Sequence, residues 1–205
     1  MKGKLKWYNR HIMKNTVIYL ILLAILLLPT ATYGSGQGSV IVVHPGSGID
    51  LVKIGTHKKA LEKLLPPPLF TEYNGSTEIS FFSYKNAILG VTISKKKNTV
   101  EEIKLIPLIG DISVRGTVTS KSSLNDVLTA FGPLNIKETE EGVKIKCFSV
   151  NTEPSPYNPT EHLMEIAYLN EGIKFEFLIA EKNMLSAIKI SKVKRCIKAK
   201  EIENH

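Results

Sequence analysis

The sequence is poor in the residues from which catalytic and metal sites are built. Its 205 residues include only two cysteines, one tryptophan and five histidines. His162 and Glu165 form a His-x-x-Glu pair, but Ile166 stands where an inverted zinc-protease motif needs its second histidine. No Gly-x-Ser-x-Gly segment is present, which excludes the nucleophile elbow of the α/β-hydrolases. The glycine-rich stretch 34–39 lacks the Gly-Lys-Ser/Thr ending of a phosphate-binding loop.

Acidic pairs suited to general acid–base catalysis are equally scarce. Glu101 and Glu102 are neighbours on an expected strand, so their side chains point to opposite faces. Glu140 and Glu141 precede Gly142 in an expected turn. General acid–base work needs groups held together in a cleft. The sequence therefore predicts no enzyme, with no catalytic residue, no cofactor and no metal ion.

The N-terminal segment has the order of a secretory signal. Its basic lead contains no acidic residue and consists of Lys2, Lys4, Lys6, Arg10 and Lys14. An apolar run, Val17–Leu28, follows, and then Pro29 and small residues up to Gly34. Residues 1–34 are predicted to be a signal peptide cleaved after Gly34, or an uncleaved transmembrane helix that anchors the chain. Either reading places the rest in the periplasm, or outside the inner membrane, because basic leads stay inside.

The positive charge is concentrated at the two ends of the chain. Lysine and arginine number 27 against 19 aspartate and glutamate. The excess comes from the N-terminal lead and from the tail Lys189–Lys200, so the body between them is nearly neutral. We therefore expect no nucleic-acid partner, and a protein partner instead. Membrane contact is expected through the N-terminal segment if it is uncleaved, with the basic tail as a second way to touch an anionic surface.

Two stretches of the chain read as copies of one unit. Ser83–Asn86 (Ser-Tyr-Lys-Asn) returns as Ala167–Asn170 (Ala-Tyr-Leu-Asn), and each is followed by two apolar alternations. Upstream lie the amphipathic runs Lys58–Leu65 and Ser123–Phe131, each ended by proline. This predicts an α+β fold of two tandem repeats, each a short helix packed on an antiparallel β-meander. The expected divisions are 1–34 signal peptide or membrane anchor, 35–48 linker and short strand, 49–110 repeat unit 1, 111–191 repeat unit 2 and 192–205 basic tail.

The repeats predict the individual elements. Thr56 is the expected N-cap of the first helix, and Ser123 with Asp126 three residues later predicts a capping box on the second. The predicted strands are Glu78–Tyr84, Ala87–Ser94, Thr99–Ile106, Val143–Val150, His162–Leu169, Ile173–Ile179 and Met184–Ser191.

The segment Ile49–Thr56 enters the first helix through Ile-Gly-Thr, and Leu65-Pro66 and Phe131-Gly132-Pro133 end the two helices. This pattern resembles the β-lactamase-inhibitor-protein-like fold and the outer-membrane-assembly lipoproteins of the SmpA/OmlA type, over roughly Ile49–Ser191. The lipid-bearing cysteine of those lipoproteins is absent. The resemblance implies a binding or assembly role without catalysis.

Four aromatic residues are the candidates for an interface. Tyr84 and Tyr168 occupy matched positions, where the competing interpretation is a structural one, with the hydroxyl at the sheet edge. Phe81 and Phe82 point to opposite faces of one strand, so one of them must leave the core.

The two cysteines, Cys147 and Cys196, leave two interpretations open. They form a disulfide that closes a loop of about fifty residues, or they are two buried free thiols.

These patterns together predict an exported, non-catalytic binding or assembly module of the bacterial cell envelope, acting through an open sheet face or a strand edge. The alternatives are a cell-envelope hydrolase or hydrolase inhibitor, and a structural membrane-anchored envelope protein.

Overall fold

The computed structural model describes residues 40–108, 112–138, 140, 144–155, 161–179 and 184–198. Ser39–His205 forms one compact unit. The predicted signal peptide or anchor, 1–34, lies outside the described residues, as does the end of the basic tail. Within the ranges above, no helix has the length and apolar character needed to cross a bilayer. The expectation of a transmembrane helix is therefore wrong for this part of the chain.

The expected α+β class, with its two helix-on-meander repeats, is also wrong. Strands make up 54% of the structure, which has large antiparallel sheets, so the fold is mostly β. The described residues contain two helices, α1 (Lys58–Leu64) and α2 (Leu124–Phe131). Each helix is only about two turns long and buries a single residue fully, Leu61 in α1 and Val127 in α2. Such short helices depend on the sheets for their stability, not the reverse.

The strands run almost continuously along the described chain. In chain order they are β1 Ile41–His44, β2 Gly48–Ile49, β3 Val52–Lys53, β4 Phe70–Asn74, β5 Thr77–Tyr84, β6 Ala87–Ser94, β7 Thr99–Pro107, β8 Ile112–Val114, β9 Lys137–Glu138, β10 Lys144–Lys146, β11 Phe148–Pro154, β12 His162–Tyr168, β13 Ile173–Leu178, β14 Met184–Ser191 and β15 Ile197–Lys198.

One large antiparallel sheet organises the molecule. Its eight strands lie in the order β11-β12-β13-β14-β7-β6-β5-β4. The central pair, β7 and β14, is aligned with Leu105 opposite Ile188 and Ile103 opposite Ile190. A smaller sheet has the order β3-β2-β1-β8, in which β1 and β8 are parallel. A third, three-stranded sheet has the order β15-β10-β9.

The core lies against one face of the eight-stranded sheet. Alternate residues of its strands are almost fully buried there, including Leu89, Ile103 and Phe175. The smaller sheet contributes Ile41 and Val43 to the same cluster, the helices contribute Leu61 and Val127, and Leu65 joins it from the end of α1. The alternation that predicted strands therefore also decided which residues face the core.

The helix starts differ in how well the sequence predicted them. In α2, the Ser123 side chain accepts from the Asp126 N–H while Asp126 accepts from the Ser123 N–H, so the capping box is confirmed. In α1 the N-cap is His57, not Thr56, and its Nδ1 accepts from the Lys59 N–H at 3.4 Å. The Thr56 carbonyl instead accepts from the Val100 N–H of β7, which keeps Thr56 outside the helix.

Candidate functional site

The face of the eight-stranded sheet turned away from the helices is here named the open face. Many of its side chains keep partial exposure, although Ala167 and Glu176 are buried, whereas the residues that alternate with them on the same strands lie in the core. The register defines one row of residues across all eight strands of this face: Phe70, Phe81, Gly90, Lys104, Lys189, Lys174, Ala167 and Ser149. The row is aromatic at one end and basic in the middle, so the open face has two chemically distinct halves.

The first half, named the aromatic patch, consists of Phe70, Ile79, Phe81, Ile88 and Ile106, which are all partly exposed. The rings of Phe70 and Phe81 are stacked, with centroids 4.4 Å apart and an angle of 17° between planes. The Phe81 ring covers the gap left by Gly90, because a Cβ at Gly90 would lie 3.1 Å from a Phe81 ring carbon. Stacking of this kind adds about 0.5–1.5 kcal/mol beyond burial, so it fixes Phe81 across the sheet surface.

The second half, named the ion ladder, joins four neighbouring strands through Lys104, Glu165, Lys174, Glu176 and Lys189. Glu176 pairs with Lys104 at 2.8 Å and with Lys189. Glu165 pairs with Lys189 at 2.9 Å and with Lys174 at 3.3 Å. The three lysines lie directly opposite one another on neighbouring strands. Without counter-charges this arrangement would destabilise the sheet, because like charges repel. The two glutamates of the adjacent row offset that repulsion.

The ladder shifts the pKa values of two of its members, Glu176 and Lys189. Burial alone would raise the pKa of Glu176, but hydrogen bonds and charge from Lys104 and Lys189 outweigh it and lower that pKa. Burial alone would lower the pKa of Lys189, but Glu176 and Glu165 outweigh it and raise that pKa. Both shifts favour the charged forms that the ladder requires.

Substitution of Glu176 by glutamine is expected to lower the free energy of unfolding by about 2 kcal/mol at pH 7, the scale of hydrogen bonds to charged groups. In the folded protein the pKa of the Glu176 carboxyl lies below its ordinary value of 4.5. Its contribution is therefore fully present above about pH 4.5 and is lost as the pH falls through the folded-state pKa. Urea unfolding of both proteins between pH 7 and pH 3 measures this: the difference should shrink with acidity.

The matched control is Glu101→Gln, which removes the exposed pair between Glu101 and Lys97, whose side chains are 38% and 65% exposed. We expect a loss of no more than about 0.5 kcal/mol there. Equal losses from the two substitutions, or a Glu176 effect that does not depend on pH, would contradict the role given to the ladder.

The four sequence-predicted interface residues do not form one surface. Phe81 lies on the open face, whereas Phe82 is 5% exposed and lies in the core. The Tyr84 hydroxyl donates to Asp50 Oδ2 at 2.9 Å, and the same oxygen accepts from Lys85 Nζ at 2.7 Å. Burial and the bond to Asp50 raise the pKa of Tyr84 to about 12. Tyr84 therefore fastens the turn after β2 to the start of the β5–β6 turn.

Tyr168 has a comparable role on the other half of the sheet. It is 5% exposed, and its hydroxyl donates to the Gly132 carbonyl at 3.0 Å. Its ring lies 5.2 Å from that of Phe131, at the end of α2. This geometry holds the end of α2 against β12.

Cys147 and Cys196 are bonded to each other as a disulfide. The bond joins the residue between β10 and β11 to the segment after β14. Because Lys146 lies opposite Ile197 in the pairing of β10 with β15, the bond continues that pairing by one residue and reinforces the three-stranded sheet.

Sequence reasoning missed the ion ladder altogether. Its five residues occupy the polar positions of strands in which apolar and polar residues alternate. Such positions usually indicate a face exposed to solvent. The pairs depend on the register of β12, β13 and β14, and Lys104 reaches Glu176 only because β7 pairs with the distant strand β14.

One small pocket is lined by residues that the structure describes. It has a volume of about 10 Å³, room for about one water molecule, lies where β14 ends and β13 begins, and is lined partly by Lys174, Ser191, Lys192 and Lys194. Among the residues that the structure describes, no group of three His, Cys, Asp or Glu side chains is placed to hold a metal ion.

Comparison with known proteins gives no family assignment. No family model matches the chain, and no curated protein matches it. One solved structure with some likeness is that of a cysteine-rich secretory protein from Staphylococcus aureus subsp. aureus Mu50, at a TM-score of 0.44 and 11% identity. The match covers 75% of this chain and 50% of that protein, and the likeness is too low to carry an argument. The resemblance to β-lactamase-inhibitor-like modules stays a prediction.

Proposed function

We propose that this chain is an exported, non-catalytic binding module of the cell envelope that recognises a protein partner through its open face. The observation that carries the proposal is the aromatic patch. Phe70, Phe81 and three isoleucines lie partly exposed on one continuous sheet surface. Aromatic side chains held rigidly at a surface are the usual anchors of protein–protein interfaces.

The ion ladder supports recognition in place of chemistry. Its carboxylates are committed to two lysines each, which leaves them poorly suited to accept a substrate proton. A network of alternating charges beside an apolar patch provides register and specificity for a partner. The disulfide supports export, because such bonds persist in oxidising compartments outside the cytosol.

A site-specific crosslinking experiment tests the proposal in intact cells of the source organism. A photoactivatable residue is placed at Thr92 or Ile106 on the open face, and at Glu62 on the exposed side of α1 as the control. We expect an adduct of one defined mass from the two face positions and none from Glu62. Phe81→Ala should reduce the adduct at least fivefold, since truncating an anchor costs about 1 kcal/mol or more.

Tyr73→Ala serves as the matched aromatic control, because Tyr73 is 69% exposed on β4 and belongs to the opposite alternation from Phe70. Circular dichroism establishes that each variant is folded. Adducts of equal yield from both sides of the molecule, or a yield unchanged by Phe81→Ala, would overturn the proposal.

A further inference from the structure

The open face ends in a cluster of lysines at the turn between β12 and β13. The small pocket there, named the lysine pocket, is lined by Lys174, Ser191, Lys192 and Lys194 together with neighbouring backbone. The backbone around it is fixed, because the Lys194 N–H donates to the Leu169 carbonyl at 2.8 Å and the Ser191 N–H donates to the Gly172 carbonyl at 3.0 Å. The lysines therefore project from a rigid frame.

The positive charge of this pocket is only partly neutralised within the described chain. The ion ladder contains three lysines against two glutamates, and Lys174, its outermost lysine, shares Glu165 with Lys189. Lys192 and Lys194 are exposed and form no ion pair with any residue that the structure describes. Uncompensated positive charge thus collects at one end of the open face, where it attracts a negatively charged group.

The lysine pocket lies in the same row as the aromatic patch. From Phe81 on β5 to Lys174 on β13 there are four strand-to-strand steps, or about 19 Å at the usual spacing of neighbouring strands. An extended peptide of about six residues covers that length. One such segment, laid across the strands, reaches both halves of the open face at once.

We propose that the partner docks through an acidic peptide segment, which places apolar side chains on the aromatic patch and a carboxylate at the lysine pocket. This inference rests on the proposed function and names the chemistry of its partner. The ladder between the two subsites is charged but internally paired, so it orients the segment and adds little attraction of its own.

The probe is the hexapeptide acetyl-Phe-Leu-Ser-Gly-Asp-Asp-amide, compared with the neutral acetyl-Phe-Leu-Ser-Gly-Asn-Asn-amide. Titration of the ¹⁵N-labelled chain should shift the amide signals of 167–174 and 191–194. We expect the acidic peptide to bind about tenfold more tightly, as two exposed charge pairs imply. Lys192→Gln combined with Lys194→Gln should abolish that preference. The control, Lys96→Gln combined with Lys121→Gln, removes the same charge from other exposed positions and should leave it unchanged.

Three outcomes would overturn the inference: equal affinity for the two peptides, no binding of either, or a preference that the pocket variant retains. Inorganic phosphate is a second probe. If it competes with the acidic peptide at equal concentration, the pocket is a simple anion site and the peptide assignment fails. The proposed function is tested separately by crosslinking at Thr92 in the Lys192→Gln, Lys194→Gln variant. If that variant still gives the adduct but shows no preference for the acidic peptide, the partner binds the open face and only the acidic segment is ruled out.

Discussion

Replacement of Gly172 by alanine is expected to lower the free energy of unfolding by about 4 kcal/mol, the sum of a backbone penalty and an overpacking penalty. Gly172 follows the tyrosine of β12 in a turn and has a φ of +62°. A Cβ there would lie 2.4 Å from the Ser191 carbonyl oxygen, 2.8 Å from the Gly46 Cα and 3.0 Å from the Val193 nitrogen. Three separate backbone segments meet at this point, and none can move as a flexible side chain would.

Gly75→Ala is the matched control for this substitution. Gly75 has a φ of +52° in the β4–β5 turn, and a Cβ there would meet nothing within 4 Å. The alanine variant therefore has only the penalty for a positive φ, and we expect its free energy of unfolding to fall by about 1 kcal/mol. Urea unfolding of both variants measures the difference. Equal losses would mean that the contact with Ser191 and Gly46 is relieved by movement of the turn, contrary to the packing described here.

The strands of the large sheet follow local patterns, and the sequence therefore predicted many of them well. Glu78–Tyr84 was expected and Thr77–Tyr84 is found, while Ala87–Ser94 has the predicted ends. The fold class was wrong in part because short strands such as Phe70–Asn74 and Ile112–Val114 were not predicted, which left the expected strand content too low. The junction between β7 and β14 joins distant residues, which no local pattern reveals.

The candidate site was predictable to the extent that it depends on alternation. The opposite orientation of Phe81 and Phe82 follows from the period of a strand, and the structure places one on each side. The partners of the two tyrosines were not predictable, because Asp50 and Gly132 reach them only through the tertiary fold. The same holds for the ion ladder, whose pairs depend on a register set by the whole sheet.

Removal of the disulfide by the double substitution Cys147→Ser and Cys196→Ser is expected to lower the free energy of unfolding by about 4 kcal/mol. The bonded residues are separated by 49 positions, so the bond restricts a large part of the unfolded chain. In the folded state it joins segments that are already held by β10–β15 pairing and by the bond from Lys194 to Leu169. Most of the effect should therefore arise in the unfolded state.

Guanidinium unfolding of the native chain with and without dithiothreitol separates the disulfide from the side-chain changes. The reductant should reproduce the loss in the native chain and have no effect on the double-serine variant. The slope of the transition should rise when the bond is absent, because the unfolded chain then exposes more surface. A loss below about 1 kcal/mol would mean that the unfolded chain is already compact around these cysteines, which removes the entropic basis of the prediction.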